Sequence, residues 1–285
     1  FELMKNAISE LIALSHLTYD DLAIIAISSP GIFMPESKEF KANPQFVNWR
    51  MSDLSKELEE HFGTSVMVIN DVNSAAVGEH KYGIGCGVNN LLYVSCGLGV
   101  GAGIIINGSL YEGVDKSAGE IGSFMIPDGD EYTTLEKKIN INALMRRIAK
   151  EAPKETLNAL VGPDKSASAL TFKNIVRVWK RGDKFLEQCI RDIAIILGNA
   201  ISNMISLLNF ELVILGGEYH VFSDQMLPII NSIIRENAFS YVETVGSSLV
   251  KYPGIYGLFA LSNDIILDQL CGATMQGKIN DRNKV

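Results

Sequence analysis

The stretch Leu91-Leu-Tyr-Val-Ser-Cys-Gly-Leu-Gly-Val-Gly-Ala-Gly-Ile-Ile-Ile106 decides how this chain is organised. Leu91 to Cys96 reads as a buried strand, and Ile104 to Ile106 resumes one after glycines at 97, 99, 101 and 103. Asn107-Gly108 is then a strong hairpin-turn pair, so a β-meander opens here. The sequence before it is built differently. A strand at 22–27 ends in Ser-Ser-Pro-Gly at 28–31, a helix is predicted over 53–62, and a strand at 65–69 runs into Asn70-Asp71 and a helix at 74–81. Strands alternating with helices describe a parallel α/β layer, with ligands at the strand C-termini. A lobe boundary is therefore placed near residue 88, giving lobes of 1–88 and 89–285.

Outward from these segments, residues 1–20 read as a helix with Leu3, Ala7, Leu11 and Leu14 at spacings of three and four. Further helices are predicted at about 134–151, 172–181 and 184–209. The last places Leu186, Cys189, Ile190, Ile193, Leu197, Ile201, Met204 and Leu208 on one face. A strand at 211–215 ends in Gly216-Gly217, and 152–169 reads as a flexible or extended connection.

Composition narrows the function classes. The 285 residues are 47% hydrophobic, which supports a sizeable core and excludes wholesale disorder. Lys+Arg 25 against Asp+Glu 33 gives a net charge of −8, a poor basis for a chain that must itself clamp nucleic acid. Cys86, Cys96, Cys189 and Cys271 are scattered, which argues against a disulfide framework or a thiolate zinc site. The most membrane-like run, Ile193 to Leu208, is interrupted by Asn199, Ser202 and Asn203 and reads as a buried helix. The expectation is a soluble cytoplasmic protein without a membrane partner.

Three segments carry chemistry, each with a plainer reading beside it. The glycine ladder leaves one face of a hairpin bare, open either to a phosphate or to another backbone crossing it. It is not a P-loop, because no Gly-Lys-Ser/Thr follows. Asn70-Asp71, between a buried strand and a helix, offers a general base toward a hydroxyl or simply a helix cap. Glu120 in Ala118-Gly-Glu-Ile-Gly122 suits vicinal hydroxyls or a solvated turn.

Taken together, Asn70-Asp-Val-Asn-Ser-Ala-Ala-Val-Gly-Glu79, the ladder 97–103, Ala118 to Gly122 and Leu215-Gly-Gly217, in this order, resemble the ROK family of repressors, open reading frames and sugar kinases. Pro30-Gly31 and Asn48-Trp49 agree. The resemblance implies the actin-like, hexokinase-type α/β fold, two lobes with sugar and nucleotide in the cleft between them. It implies sugar contacts from Asn70, Asp71, Glu120 and Glu136, with Asp71 as the base in a kinase. It assigns Gly97, Gly99 and Gly101 to nucleotide phosphates, and Gly216 and Gly217 to the adenosine side.

The departures select a branch. The kinases begin the ladder Gly-Thr-Gly, and here the middle residue is Leu98. The family's sugar-loop histidine is Ser123, and its three zinc cysteines fall near Pro127, Gly129 and Thr134, so structural zinc is expected to be absent. The family's first phosphate loop, an Asp-x-Gly-x-Thr hairpin, belongs ahead of the first helix, which here starts at Phe1, so the first lobe is expected to be incomplete. The expectation is the sugar-sensing effector domain of a repressor, closest to the xylose-repressor group. It would bind a small neutral sugar, form a homodimer, and contact DNA through a helix-turn-helix module outside this sequence. The alternative is an ATP- and Mg²⁺-dependent hexose kinase.

Overall fold

The computed structural model describes residues 2–34, 39–41, 51–162 and 169–282. Asn48-Trp49 and residues 163–168 lie outside the described residues. The first part runs α1 (Glu2–Leu14), β1 (Ile24–Ser29), β2 (Ile32–Met34), β3 (Glu39–Lys41), α2 (Met51–Phe62), β4 (Ser65–Asn70) and α3 (Asp71–Tyr82). β1 and β4 are parallel, from Ile24↔Ser65 to Ser29↔Asn70. Their C-terminal ends therefore finish side by side, where a parallel layer presents its ligand site.

The helix expected at the front forms, but it buries a different stripe. Met4, Ile8 and Ile12 pack with Ile25, Leu54, Leu58 and Phe62, whereas Leu3, Leu11 and Leu14 face solvent at 85%, 64% and 70% exposure. α1 carries apolar residues on more than one face, and the stripe spaced by four is the one that meets α2 and β1.

The second part runs β5 (Leu91–Cys96), β6 (Val100–Ile106), β7 (Ser109–Leu110), β8 (Met125–Asp128), β9 (Glu131–Thr134), α4 (Leu135–Ile139), α5 (Ile141–Glu151), α6 (Lys154–Val161), α7 (Phe172–Trp179), α8 (Lys184–Leu208), β10 (Leu212–Gly216), α9 (Ser223–Asn237), β11 (Thr244–Gly246) and α10 (Pro253–Arg282). Its main sheet has the order β11-β10-β5-β6-β7. β10 is parallel to both β5 and β11, and the meander strands β6 and β7 are antiparallel. Alternate residues of β5 enter different cores. Leu92, Val94 and Cys96 join the large core of α5, α8 and α9, while Leu91 and Tyr93 join Ala75, Ala76 and Val77 of α3 and Ala260 of α10. A sheet covered on both faces explains why its strands read as unbroken apolar runs.

Two helix readings are corrected by local chemistry. The helix expected at 134–151 is two, because Asn140 closes α4 and caps α5, accepting from Ala143 N at 2.8 Å. The connection expected at 152–169 contains α6, which opens at Pro153 and buries Thr156 and Leu160. Thr156 donates to Asp183 across to the start of α8 at 2.8 Å, a partner distant in sequence. α8 is long and apolar enough to cross a membrane, yet over half of its apolar window lies inside the core. Its buried face is the one expected, with Ile205 in place of the part-exposed Leu208. All four cysteines are free thiols.

α10 returns from the end of the second sheet and packs along α3, also touching β1. The two helices meet through small residues. A Cβ on Gly78 would collide with the Pro253 carbonyl, and one on Gly257 with the Ser74 carbonyl. Ser74 Oγ also donates to the Gly254 carbonyl at 2.6 Å. The N-termini of α3 and α10 thus lie beside the ends of β1, β4, β5 and β10.

Candidate functional site

The site is built from the junction of β4 and α3. Asn70 caps α3, its Oδ1 accepting from Val72 N at 2.9 Å and Asn73 N at 3.0 Å. Its Nδ2 donates to the Gly31 carbonyl at 3.1 Å, tying the β1–β2 turn to the cap. The cap reading therefore belongs to Asn70, and α3 begins at 71 rather than near 74. Asp71 is left as the first helical residue, with its carboxylate at the cleft and one oxygen accepting from Val72 N at 2.9 Å. Protein enclosing the open mouth raises its pKa above the usual aspartate range. Backbone N–H groups pull the other way, and the Glu218 charge adds to the rise.

Glu120 is held by backbone contact. Gly119 has φ +90° and lies so close to β6 that a Cβ would strike the Ala102 carbonyl. Ala102 N in turn donates to the Gly119 carbonyl at 2.8 Å. This presses the Gly119–Gly122 turn onto the ladder and leaves the Glu120 carboxylate exposed, without a cap bond. Partial burial raises its pKa, and the nearby charges of Glu136 and Asp71 raise it further. Glu136 sits in the first turn of α4, behind the Thr134 cap, and accepts from Val100 N at 3.0 Å. Asp71, Glu120 and Glu136 thus share one electrostatic neighbourhood.

The ladder divides into two halves. Gly101 and Gly103 face α3, where a Cβ would meet Val72 at 3.3 Å or overlap Ala76. These two glycines are bare because a helix crosses them. Gly97 and Gly99 form the hairpin tip and face the carboxylates of Glu218 and Glu136. Leu98 stands between them, 56% exposed and without a hydroxyl.

A cleft of about 390 Å³ adjoins Asp71, walled by Ser28, Tyr93, Ser95, Gly216, Gly217, Glu218, His220, Ser247, Pro253 and Gly254 among others. Asn70, Glu120 and Glu136 are not among its walls, so Asp71 joins this cleft to the carboxylates beside the ladder. Gly216 makes room for the Tyr93 ring, and Gly217, at φ +76°, turns the chain against the Cys96 backbone.

Several of these residues escaped the reading of the sequence. Glu218 had a legible signal, since a carboxylate just beyond the C-terminus of a buried strand is the kind of pattern that marked Asp71. Ser247 and Pro253 had none, because nothing local shows that α10 comes back to this edge. The positions expected near family zinc cysteines, Pro127, Gly129 and Thr134, lie in the β8–β9 hairpin. An ion pair between Asp128 and Lys138 ties that hairpin to α4. Among the described residues no group of three His, Cys, Asp or Glu side chains is placed to hold a metal ion.

The ROK family pattern matches residues 1–264. The chain belongs to the ROK family. It is 32% identical to a glucokinase of Halalkalibacterium halodurans over 79% of this chain and 70% of that one. It is also 28% identical to the xylose repressor of Caldicellulosiruptor bescii, over 75% of this chain and 55% of the repressor. Among solved structures, a ROK family glucokinase from Streptomyces griseus, in complex with glucose and AMPPNP, superposes with a TM-score of 0.77. That likeness is at 24% identity and covers 92% of this chain and 88% of that one. The fold is the actin-like α/β fold of these proteins, and the domain is of a sugar-related kind whose relatives include kinases and repressors.

Proposed function

We propose that this chain is the sugar-sensing effector domain of a ROK-type transcriptional repressor, binding a small neutral sugar at Asp71 and Glu120. The observation that carries the reading is the contrast along the ladder. Asp71 stands at the cleft with the charges of Glu120 and Glu136 nearby, while the ladder tip presents the apolar side chain of Leu98. An ionised Asp71 accepts hydrogen bonds from sugar hydroxyls, and Glu120, from the opposite element, closes on a second pair. Closure of the two lobes around the sugar then biases a DNA-binding homodimer through unequal affinity for two states. DNA contact belongs to a module outside this sequence, in keeping with the net charge of −8.

Calorimetry with a panel of neutral pentoses and hexoses tests this reading. It expects saturable binding of at least one sugar and none by Asp71→Ala, and a panel that gives no heat would count against it.

A second reading, an ATP-dependent hexose kinase, draws support from Asp71 itself. A carboxylate with a raised pKa at the cleft suits a general base, with Mg²⁺ bridging ATP phosphates. Sugar-dependent release of ADP at roughly 10 per second would favour that reading.

A further inference from the structure

We propose that Glu218 sets ligand specificity, occupying the anion-binding end of the glycine ladder and excluding phosphate-bearing ligands from the cleft. The inference deepens the sensor reading and rests on it in one respect, that the ligand left to the cleft is uncharged.

The placement of Glu218 follows from the turn before it. Gly217 adopts φ +76°, and a Cβ there would lie 2.6 Å from the Cys96 carbonyl oxygen, so the chain passes directly over the end of β5. Immediately after Glu218, Tyr219 and Phe222 are fully buried, and Tyr219 donates to the Ile139 carbonyl at 2.8 Å. The backbone at 218 is therefore anchored on both sides, and its side chain has a fixed origin. From there the carboxylate fills the space that a Cβ on Gly97 would need. It accepts from the Leu98 N–H at 3.3 Å.

The N–H of Leu98 is one of the donors that a hairpin tip of this kind offers to an anion. Two further N–H groups of the tip are also taken. Val100 N donates to Glu136, and Gly97 N donates to the Gly99 carbonyl at 2.9 Å. The tip thus carries two internal carboxylates on its face where a phosphate would be held by backbone N–H groups. A polyphosphate entering here meets Glu218, Glu136 and Asp71 and must displace a carboxylate before it gains the Leu98 or Val100 donor. Both effects have the same sign, repulsion between like charges and loss of the cradle. A neutral ligand meets neither obstacle.

The test is a titration of Mg·ATP and of inorganic tripolyphosphate into the whole chain and its Glu218→Gln and Glu218→Gly variants. Thermal melts confirm that each variant is folded. The expectation is no saturable binding of either probe to the wild type at 1 mM, with affinity gained at least about tenfold in both variants. Glycine, which clears the space beside Gly97, should gain more than glutamine. Equal ATP affinity in wild type and variants would overturn the proposal, and so would variants that bind no better than the wild type. A neutral-sugar titration of the wild type in parallel separates the two ideas. Sugar binding without any gain in the variants removes the role of Glu218 alone, and absence of sugar binding removes the sensor reading while leaving the ATP comparison decisive for Glu218.

Discussion

α3 carries a carboxylate near each end, and the two are treated in opposite ways. Glu79, in the last turn, is fully buried and accepts from Ser247 Oγ at 2.5 Å, Ser248 Oγ and Leu249 N at 2.8 Å, and Ile84 N at 3.1 Å. Asp71, in the first turn, lies at the cleft with only local backbone N–H groups, those of Val72 and of Asp71 itself, on its side chain and other carboxylates for company. Burial is tolerated where donors saturate the charge, and Glu79 uses that saturation to fasten the 247–249 segment to α3. Acceptor capacity left unused at the mouth of a cleft is what a hydroxyl-bearing ligand can satisfy. The same helix therefore carries one carboxylate saturated by donors and one, proposed to serve a ligand, that is not.

The largest effect expected from breaking this contrast is at Glu79. Glu79→Ala leaves two serine hydroxyls and the Leu249 N–H without their buried acceptor, and should destabilise the fold by about 3 kcal/mol. Urea unfolding would show it, and a change under 1 kcal/mol would mean that the 247–249 segment is held by something else. Asp71→Asn keeps the shape but removes the acceptor charge. It should weaken sugar binding by roughly 100-fold, a loss of about 2.7 kcal/mol, without lowering the melting temperature.

The third expectation concerns pH. Asp71 and Glu120 both have raised pKa values, so each takes up its proton at a higher pH than an ordinary carboxylate. Sugar affinity should therefore decline on acidification before the usual range of about 4 is reached. Stability of the ligand-free chain runs the other way. A folded state that holds protons more tightly than the unfolded one loses stability as pH rises from the ordinary carboxylate value through the raised one. The smallest effect follows from this sign. At neutral pH Asp71→Asn relieves a like-charge cluster, and the melting temperature should rise by about a degree. A fall would show that Asp71 is a structural acceptor like Glu79.

The sequence was most legible where burial alone dictates structure. Leu91 to Cys96 is a strand because it is covered, and α8 declares its core face by period. Legibility failed where a partner lies far along the chain. The Met4–Ile8–Ile12 stripe prevails over Leu3, Leu11 and Leu14 only because α2 and β1 lie on that side. α6 depends on its packing with α7 and on Asp183, and the glycines of the ladder look alike although α3 crosses two of them and carboxylates face the other two. The candidate carboxylates Asp71, Glu120 and Glu136 were readable as residues. Their common electrostatics, and the carboxylate of Glu218 beside them, emerge only when β6, α4 and β10 come together.

Asp71 is proposed to serve a bound neutral sugar. Isothermal titration of the wild-type chain and of Asp71→Ala with the same sugar panel tests it most directly. The wild type should show saturable one-site binding that vanishes in the folded variant. Equal binding by both proteins, or no binding by a folded wild type, would contradict it.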